Sequence, residues 1–246
     1  MKNSLAKLVG WLLAPFYLAT FALILLVFHP IQILTLRLCG YTCHKLTIDL
    51  IDWLLLANLR ICGTSIQITY ERPLPEGVPL IVVSNHQSLY DIPLLGWVFR
   101  HHHLKYVSKK ELGKGIPSVS YNLRHGGSVL IDRDNPRQSV SAVGQFGKYI
   151  EEHRYAACLF PEGTRGRDGV MKPFKSAGFS TLVQHTPSAL IVPTVIKGSW
   201  ELARYGLAPI PFGVQLSCTV LAPISQDGRK PKELLELAES RIRAEL

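Results

Sequence analysis

The sequence predicts an α/β fold, with a mostly parallel central sheet flanked by helices and an N-terminal membrane-embedded two-helix segment. From residue 65 onward, short apolar runs alternate with helical segments, as in a parallel sheet covered on both faces. Upstream, no Asp, Glu, Lys or Arg occurs between Lys7 and Arg37. This stretch exceeds the roughly 20 apolar residues that span a bilayer. We therefore predict a membrane-associating helical segment at residues 1–61 and an α/β domain at residues 62–246.

The N-terminal segment is predicted to contain two helices. Pro15 and Pro30 interrupt the first apolar stretch, and residues 46–61 form a second stretch that carries three charged side chains. The second pattern is typical of an amphipathic helix at a membrane interface. Separated by residues 39–41, the helices could form a hairpin in one leaflet; a single true span or a soluble core helix are the alternatives. Basic residues on both flanks assign no orientation.

The elements of the α/β domain follow from local periodicity and from its breaks. Strands are predicted at residues 65–70, 79–83, 104–107, 129–131, 155–160, 190–196 and 214–221. Helices are predicted at residues 92–100, 136–153 and 176–184, and Pro231 opens a closing helix. Gly113, Gly115 and Pro117 predict an irregular connection between the third and fourth strands.

Composition limits the classes of function. The formal net charge is +9, with scattered basic residues and no zinc-finger spacing or aromatic-basic RNA motif, so we predict no nucleic-acid partner. A basic balance suits anionic membranes and phosphate-bearing substrates. The five cysteines are odd in number and irregularly spaced, which indicates a reducing compartment. No Walker loop, dinucleotide glycine fingerprint or metal-ligand pattern occurs, so we predict neither a bound cofactor nor a metal.

A possible catalytic pair follows the predicted strand at residues 79–83. His86 and Asp91 lie on one strand-to-helix connection, close enough for the carboxylate to orient the imidazole. A histidine held in this way can act as a general base. A single pair at this spacing is a weak signal, because a loop histidine and a helix-capping aspartate would produce the same pattern.

Three further segments place polar groups just beyond predicted strands. Residues 127–133 end on Arg133, residues 159–165 end on Arg165, and residues 191–198 form an apolar run broken by proline. Open α/β sheets build their sites at the carboxyl ends of parallel strands. Two arginines converging on one rim suit a phosphate group, which guanidinium recognises bidentately.

In this order and spacing, the four segments resemble the glycerolipid acyltransferase family, whose best-known members are the lysophosphatidate acyltransferases. The resemblance spans residues 79–198, about half of the chain. It implies that His86 and Asp91 are catalytic. It also implies a set of substrate-binding residues: Lys109, Arg133, Glu162, Gly163, Thr164 and Arg165. Within this set, Lys109 is expected to contact phosphate, and Glu162 is expected to hold Arg165 or polar groups of the acceptor.

The resemblance implies a membrane-bound acyltransferase that moves a fatty acyl group from acyl-CoA or acyl-carrier protein to the free hydroxyl of lysophosphatidate, giving phosphatidate. Another lysolipid acceptor, either a lysophospholipid or a lyso-aminolipid, is the alternative within this class. A non-catalytic lipid-binding protein is the alternative outside it. The resemblance also favours embedding in one leaflet, with the catalytic domain facing the cytoplasm, at the inner membrane if the source is bacterial.

Overall fold

The computed structural model describes residues 2–166 and 168–246. Its strands are β1 Ser65–Tyr70, β2 Leu80–Ser84, β3 Lys105–Lys109, β4 Val129–Ile131, β5 Ala156–Leu159, β6 Leu190–Lys197 and β7 Gln215–Val220. Its helices are α1 Lys2–Asn58, α2 Asp91–Val98, α3 Val119–His125, α4 Pro136–His153, α5 Ser176–Gln184, α6 Ser199–Leu202 and α7 Pro231–Glu245. Short 3-10 turns cover Leu59–Cys62, Arg100–His102 and Lys110–Gly113.

The strands form one seven-stranded sheet in the order β1-β7-β6-β2-β5-β3-β4. All neighbours run parallel except β6 and β7, which are antiparallel. The predicted mostly parallel sheet is therefore confirmed. β2 lies at the centre, and all five of its residues are buried. A strand with helices on both faces needs an apolar side chain at every position, as the run from Leu80 to Val83 provides.

Alternate residues of β2 point to opposite faces of the sheet and enter two separate cores. Leu80 and Val82 pack with residues of α1 and α2, among them Leu56 and Leu94. On the other face, Ile81 and Val83 pack with side chains of α4, α5 and α7: Val143, Phe146, Ile150, Phe179, Leu182, Leu234 and Leu235. Because α1 supplies part of the first core, the N-terminal segment is packed against the sheet.

Helix α1 is bent into a hairpin at Gly40, whose φ of 77° and ψ of −164° interrupt the helical backbone. Positive φ is readily adopted by glycine, which has no Cβ. The two arms, residues 2–39 and 41–58, face each other: Asn58 Nδ2 donates to the carbonyl of Tyr17 at 3.2 Å, and Thr47 Oγ1 donates to Thr35 Oγ1 at 3.4 Å. The expected helical pair and its hairpin arrangement are confirmed.

The outer surface of the hairpin is apolar. Its exposed large side chains include Trp11, Leu12, Phe16, Leu23, Leu26, Leu34, Leu38 and Trp53. Among the described residues, α1 is the one helix long and apolar enough to cross a membrane, judged by length and composition alone. A continuous exposed apolar surface is unusual on a soluble protein and marks a membrane or protein contact. Embedding of the hairpin in one leaflet stays a prediction.

The structure corrects the prediction for the connection between β3 and β4. Residues 114–118 are irregular, as predicted, but the sequence did not predict α3, which follows them and packs against the hairpin. Ser118 Oγ donates to the carbonyl of Leu25 at 2.7 Å, and the Ser118 N–H donates to His29 Nδ1 at 3.1 Å. Contacts with a distant helix therefore stabilise this short helix, which has only seven residues of its own. Helix α6 was also absent from the prediction.

Candidate active site

The site lies where the carboxyl ends of β2, β3, β4 and β5 meet at one edge of the sheet. The loops that leave these strands border a cavity of about 2190 Å³, which continues beneath the hairpin. Most of the predicted site residues line this cavity, namely His86, Lys109, Arg133, Gly163, Thr164 and Arg165. Asp91 and Glu162 lie behind the cavity wall, where both are buried.

His86 and Asp91 form the predicted pair. His86 Nδ1 lies 2.7 Å from Asp91 Oδ2, which also accepts hydrogen bonds from the N–H groups of Gln87 at 2.7 Å and Ser88 at 2.9 Å. The second oxygen, Oδ1, accepts a hydrogen bond from the hydroxyl of Ser199. Because the carboxylate only accepts, Nδ1 carries the ring proton. Nε2 is then the nitrogen that can take a proton from a substrate.

Asp91 binds the loop that precedes it and does not cap α2. Its Oδ2 accepts hydrogen bonds from the N–H groups of Gln87 and Ser88, which come earlier in the chain. Helix α2 has no side-chain cap at its amino end. The capping interpretation, which the sequence had left open, is therefore wrong. The carboxylate holds the imidazole and the backbone of the connecting loop in one arrangement.

Phe160 fixes the face of the His86 ring. The two rings stack with centroids 4.0 Å apart and planes inclined by 17°. The carbonyl of His86 accepts a hydrogen bond from the Gly166 N–H at 2.8 Å, so the loop after β5 holds both the ring and the backbone. About 14% of the His86 side chain is exposed, which leaves an edge of the ring accessible from the cavity.

Glu162 holds two backbone N–H groups behind the cavity wall. Its Oε1 accepts the N–H of His86 at 2.7 Å, and its Oε2 accepts the N–H of Lys172 at 2.9 Å. Burial raises the pKa of the Glu162 carboxyl, and the two backbone donors partly oppose this effect. Among the described residues Glu162 makes no hydrogen bond to Arg165, so that half of the expectation is wrong, whereas its contact with polar groups of the acceptor stays a prediction. Glu162 instead joins the His86 loop to the chain that follows β5.

A basic rim surrounds the mouth of the cavity, and we define it as Lys109, Arg133, Arg165, Lys172 and Lys175. Arg133 Nη1 donates a hydrogen bond to the carbonyl of Gly163, which joins the loops after β4 and β5. Lys172 Nζ donates to the Thr164 hydroxyl and to the Arg165 carbonyl, both at 3.0 Å. The side chain of Arg165 is exposed, while the backbone from which it extends is held by the hydrogen bond from Lys172.

Four residues of the site were not identified from the sequence: Asn85, Phe160, Lys172 and Ser199. Asn85 binds the backbone of β6 twice, through Nδ2 to the Ile196 carbonyl and through Oδ1 from the Ile196 N–H, both at 2.8 Å. Asn85 directly precedes His86, and Phe160 lies two residues before Glu162, so closeness in sequence to predicted site residues could have identified both. Ser199 follows the last recognised segment by one residue, and only the fold brings it to Asp91.

Residues 65–197 match the model of the family described as Acyltransferase. The chain is 30% identical over 151 residues to a 1-acyl-sn-glycerol-3-phosphate acyltransferase of Limnanthes douglasii, covering 60% of this chain and 50% of that protein. It is 27% identical over 177 residues to the 1-acyl-sn-glycerol-3-phosphate acyltransferase alpha of Homo sapiens, covering 72% and 61% respectively. The chain thus spans only about half to two thirds of the length of these relatives.

The fold also resembles a solved structure. The crystal structure of the 1-acyl-sn-glycerophosphate (LPA) acyltransferase PlsC from Thermotoga maritima superposes with a TM-score of 0.72. The superposition covers 98% of this chain and 95% of that chain, at 20% sequence identity. At this identity the likeness shows a shared fold, including its N-terminal segment.

Proposed function

Because this chain belongs to the Acyltransferase family, we propose that it transfers a fatty acyl group from an acyl thioester to the free hydroxyl of lysophosphatidate, giving phosphatidate. The observation that carries the proposal is His86, whose Nδ1 is held by Asp91 while its ring borders a cavity with a basic rim. The relatives named as 1-acyl-sn-glycerol-3-phosphate acyltransferases support the choice of acceptor.

In the proposed reaction, His86 acts as the general base. Nε2 takes the proton of the acceptor hydroxyl as its oxygen attacks the thioester carbonyl. The tetrahedral intermediate then collapses, the carbon–sulfur bond breaks, and the proton on the imidazolium passes to the departing thiolate. Buried Asp91 stabilises the transient imidazolium, as in other carboxylate–histidine pairs. A positioned general base contributes about 10²–10⁴-fold to such a rate.

The basic rim is the proposed site for the acceptor phosphate. Arg165 is exposed and adjoins the cavity, while Arg133 and Lys109 approach from neighbouring strand ends. Guanidinium groups bind phosphate oxygens bidentately, and a lysine ammonium adds a point charge. In this proposal Gly163 and Thr164 position the two arginines. The Gly163 carbonyl accepts a hydrogen bond from Arg133, and Thr164 directly precedes Arg165 in the chain.

We further propose that the hairpin embeds in one leaflet and brings the cavity to the membrane surface. The apolar outer face supports this arrangement, since it would lie among lipid chains. The donor is acyl-CoA or acyl-carrier protein, either of which would approach from the cytoplasm. The acyl thioester is a co-substrate, and the proposed reaction uses no bound cofactor.

An acceptor panel tests the proposed activity. Purified protein in mixed micelles would receive one acyl-CoA together with lysophosphatidate, lysophosphatidylcholine, a lyso-aminolipid or monoacylglycerol. We expect transfer to lysophosphatidate to dominate and to vanish in His86→Ala. A preference for lysophosphatidylcholine or the lyso-aminolipid would assign the alternative acceptor class. Lipid binding without transfer to any acceptor would instead indicate a non-catalytic lipid-binding protein.

A further inference from the structure

A second group of polar side chains lines the cavity beneath the bend of the hairpin, away from His86. We name it the inner pocket and define it as Gln32, Tyr41, His44, Lys105 and Asn122. Lys105 begins β3, whereas Lys109 of the basic rim ends it. Four residues of a parallel strand rise about 13 Å, so the inner pocket and the basic rim occupy opposite ends of this strand.

Two side chains of the inner pocket are buried without hydrogen-bond partners. Gln32 is fully buried, and both its Oε1 and its Nε2 have no partner among the described residues. His44 is about 1% exposed, and its Nε2 is likewise unpartnered within the described part of the chain. Each buried polar group left in this way costs about 1–3 kcal/mol. Because both side chains border the cavity, a guest in the cavity can satisfy them.

The pocket offers both donors and acceptors. His44 Nδ1 faces the Gln32 carbonyl at 3.4 Å; since a carbonyl only accepts, Nδ1 carries the proton of the neutral ring and Nε2 accepts. Gln32 supplies a donor and an acceptor through its amide. Lys105 Nζ donates to the Tyr41 hydroxyl at 2.8 Å and retains further N–H groups.

This mixture suits a hydroxyl better than a carboxylate. A hydroxyl both donates and accepts, whereas a carboxylate would meet the acceptor atoms His44 Nε2 and Gln32 Oε1 with its own acceptors. Lys105 does not require an anionic partner, because burial lowers its pKa to about 7.

An apolar passage adjoins the inner pocket. Its lining is mostly apolar, namely Ile48, Ile51, Leu55, Leu89 and Ile92 of the hairpin, the His86 loop and α2. Asp52 of the hairpin also lines the cavity, and burial raises the pKa of its carboxyl well above the usual value. The cavity therefore combines a basic rim, an apolar passage and a polar inner pocket. We propose that the inner pocket binds a hydroxyl at the distal end of an acyl chain, so that the protein takes hydroxylated fatty acyl groups whose thioester end reaches His86. This inference rests on the proposed acyl transfer.

A binding experiment tests the inner pocket without requiring turnover. The His86→Ala protein would be titrated with acyl-CoA thioesters of matched length that end in a methyl, a hydroxyl or a carboxyl group, over a series of lengths. At the length that reaches the inner pocket, we expect the hydroxyl-ended chain to bind about tenfold tighter than the methyl-ended chain, the effect of one well-made hydrogen bond.

A matched pair of variants locates the effect. Gln32→Met, added to His86→Ala, should abolish the preference for the hydroxyl-ended chain while binding of the methyl-ended chain is retained. Gln67→Met is the control, because it makes the same substitution at an exposed residue of β1 that does not border the cavity. It should leave the preference intact. Loss of the preference in Gln67→Met as well would overturn the assignment to the inner pocket.

Other results would also overturn the inference. Equal binding of the three chain ends at every length would mean that the inner pocket holds water only. Tighter binding of the carboxyl-ended chain would make it an anion site. Failure of the proposed function is separable, because wild-type protein could transfer no acyl group while His86→Ala still selects the hydroxyl-ended chain. Conversely, active wild type without selection would refute the inner pocket alone.

Discussion

Ser199 donates a hydrogen bond to Asp91 Oδ1 across 108 positions of sequence. Both residues are fully buried. Asp91 Oδ2 is occupied by His86 and by two loop N–H groups, so Ser199 completes the coordination of the carboxylate from the side of β6. The turn after β6 is therefore part of the support of the His86–Asp91 pair.

The turn that positions Ser199 depends on Gly198. Its φ is 79°, and a Cβ at this position would lie 2.0 Å from the backbone carbonyl oxygen of Gln215. We expect Gly198→Ala to lower the melting temperature strongly and to lower kcat with it, because the backbone must shift. Gly213→Ala is the matched control: Gly213 has the same φ, and a Cβ there would meet nothing within 4 Å. Equal losses in the two variants would contradict the steric explanation.

Asp91→Asn should reduce acyl transfer less than His86→Ala. The amide oxygen of Asn can still accept from the His86 side, and its NH₂ can donate to the Ser199 hydroxyl, so the ring stays oriented. Only the negative charge opposite the imidazolium is lost. His86→Ala removes the general base and should lower kcat by about 10²–10⁴-fold or more. Steady-state kinetics with circular dichroism as a folding control would measure both, and full activity in His86→Ala would refute the mechanism.

Glu162→Gln should lower kcat and thermal stability while leaving the KM for the acceptor nearly unchanged. One of the two backbone N–H groups now held by Glu162 would face an NH₂ group, at a cost of about 1–3 kcal/mol. Glu111→Gln is the control, because Glu111 is an exposed carboxylate that borders the same cavity. A rise in acceptor KM at unchanged melting temperature would instead place Glu162 in direct contact with the acceptor.

Arg165→Lys should weaken use of the acceptor although the charge is kept, because an ammonium cannot reproduce the bidentate fork. If Arg165 binds the acceptor equally in the ground state and the transition state, the acceptor KM would rise. If it binds the phosphate more strongly in the transition state only, kcat would fall. The KM for the donor should change much less. Arg154→Lys is the control. Arg154 is exposed and lies in the turn before β5, at the amino ends of the strands and away from the site. Equal damage to donor and acceptor parameters would remove Arg165 from the phosphate site.

Lys105 should make stability depend on pH above neutrality. Burial lowers its pKa from 10.5 to about 7, so between these values the unfolded chain binds more protons than the folded chain. Stability of the wild type should therefore rise from pH 7 toward 10.5 relative to Lys105→Met, by at most about 1.4 kcal/mol per pH unit. Melting temperatures of both proteins in detergent across this range would measure the difference. A constant difference would show that Lys105 remains charged when folded.

Local patterns were sufficient to predict the seven strands and the helices α2, α4, α5 and α7. The bounds of β1, α4 and α5 agree with the prediction to the residue, because their apolar periodicity is complete within each segment. The meeting of His86 and Asp91 was predictable because five positions on one connecting loop can hardly lie far apart.

Long-range contacts explain what the sequence did not predict. Glu162 binds backbone N–H groups of residues 86 and 172, and no side-chain pattern reveals such partners. The hydroxyl of Ser199 reaches Asp91 only after β6 has joined the sheet. Helix α3 has only seven residues, and the hairpin provides the surface on which it packs. Each case requires coordinates of distant segments.

The pairing of β1 with β7 has a consequence for the order of events during synthesis. Ser65 pairs with Gln215, so the first strand has to wait for nearly the whole chain before its neighbour exists. The apolar hairpin leaves the ribosome long before that moment. If the hairpin embeds in a leaflet as proposed, nascent chains can reach the bilayer while the sheet is still open, and the domain would fold from the outset on the surface that holds the proposed acceptor.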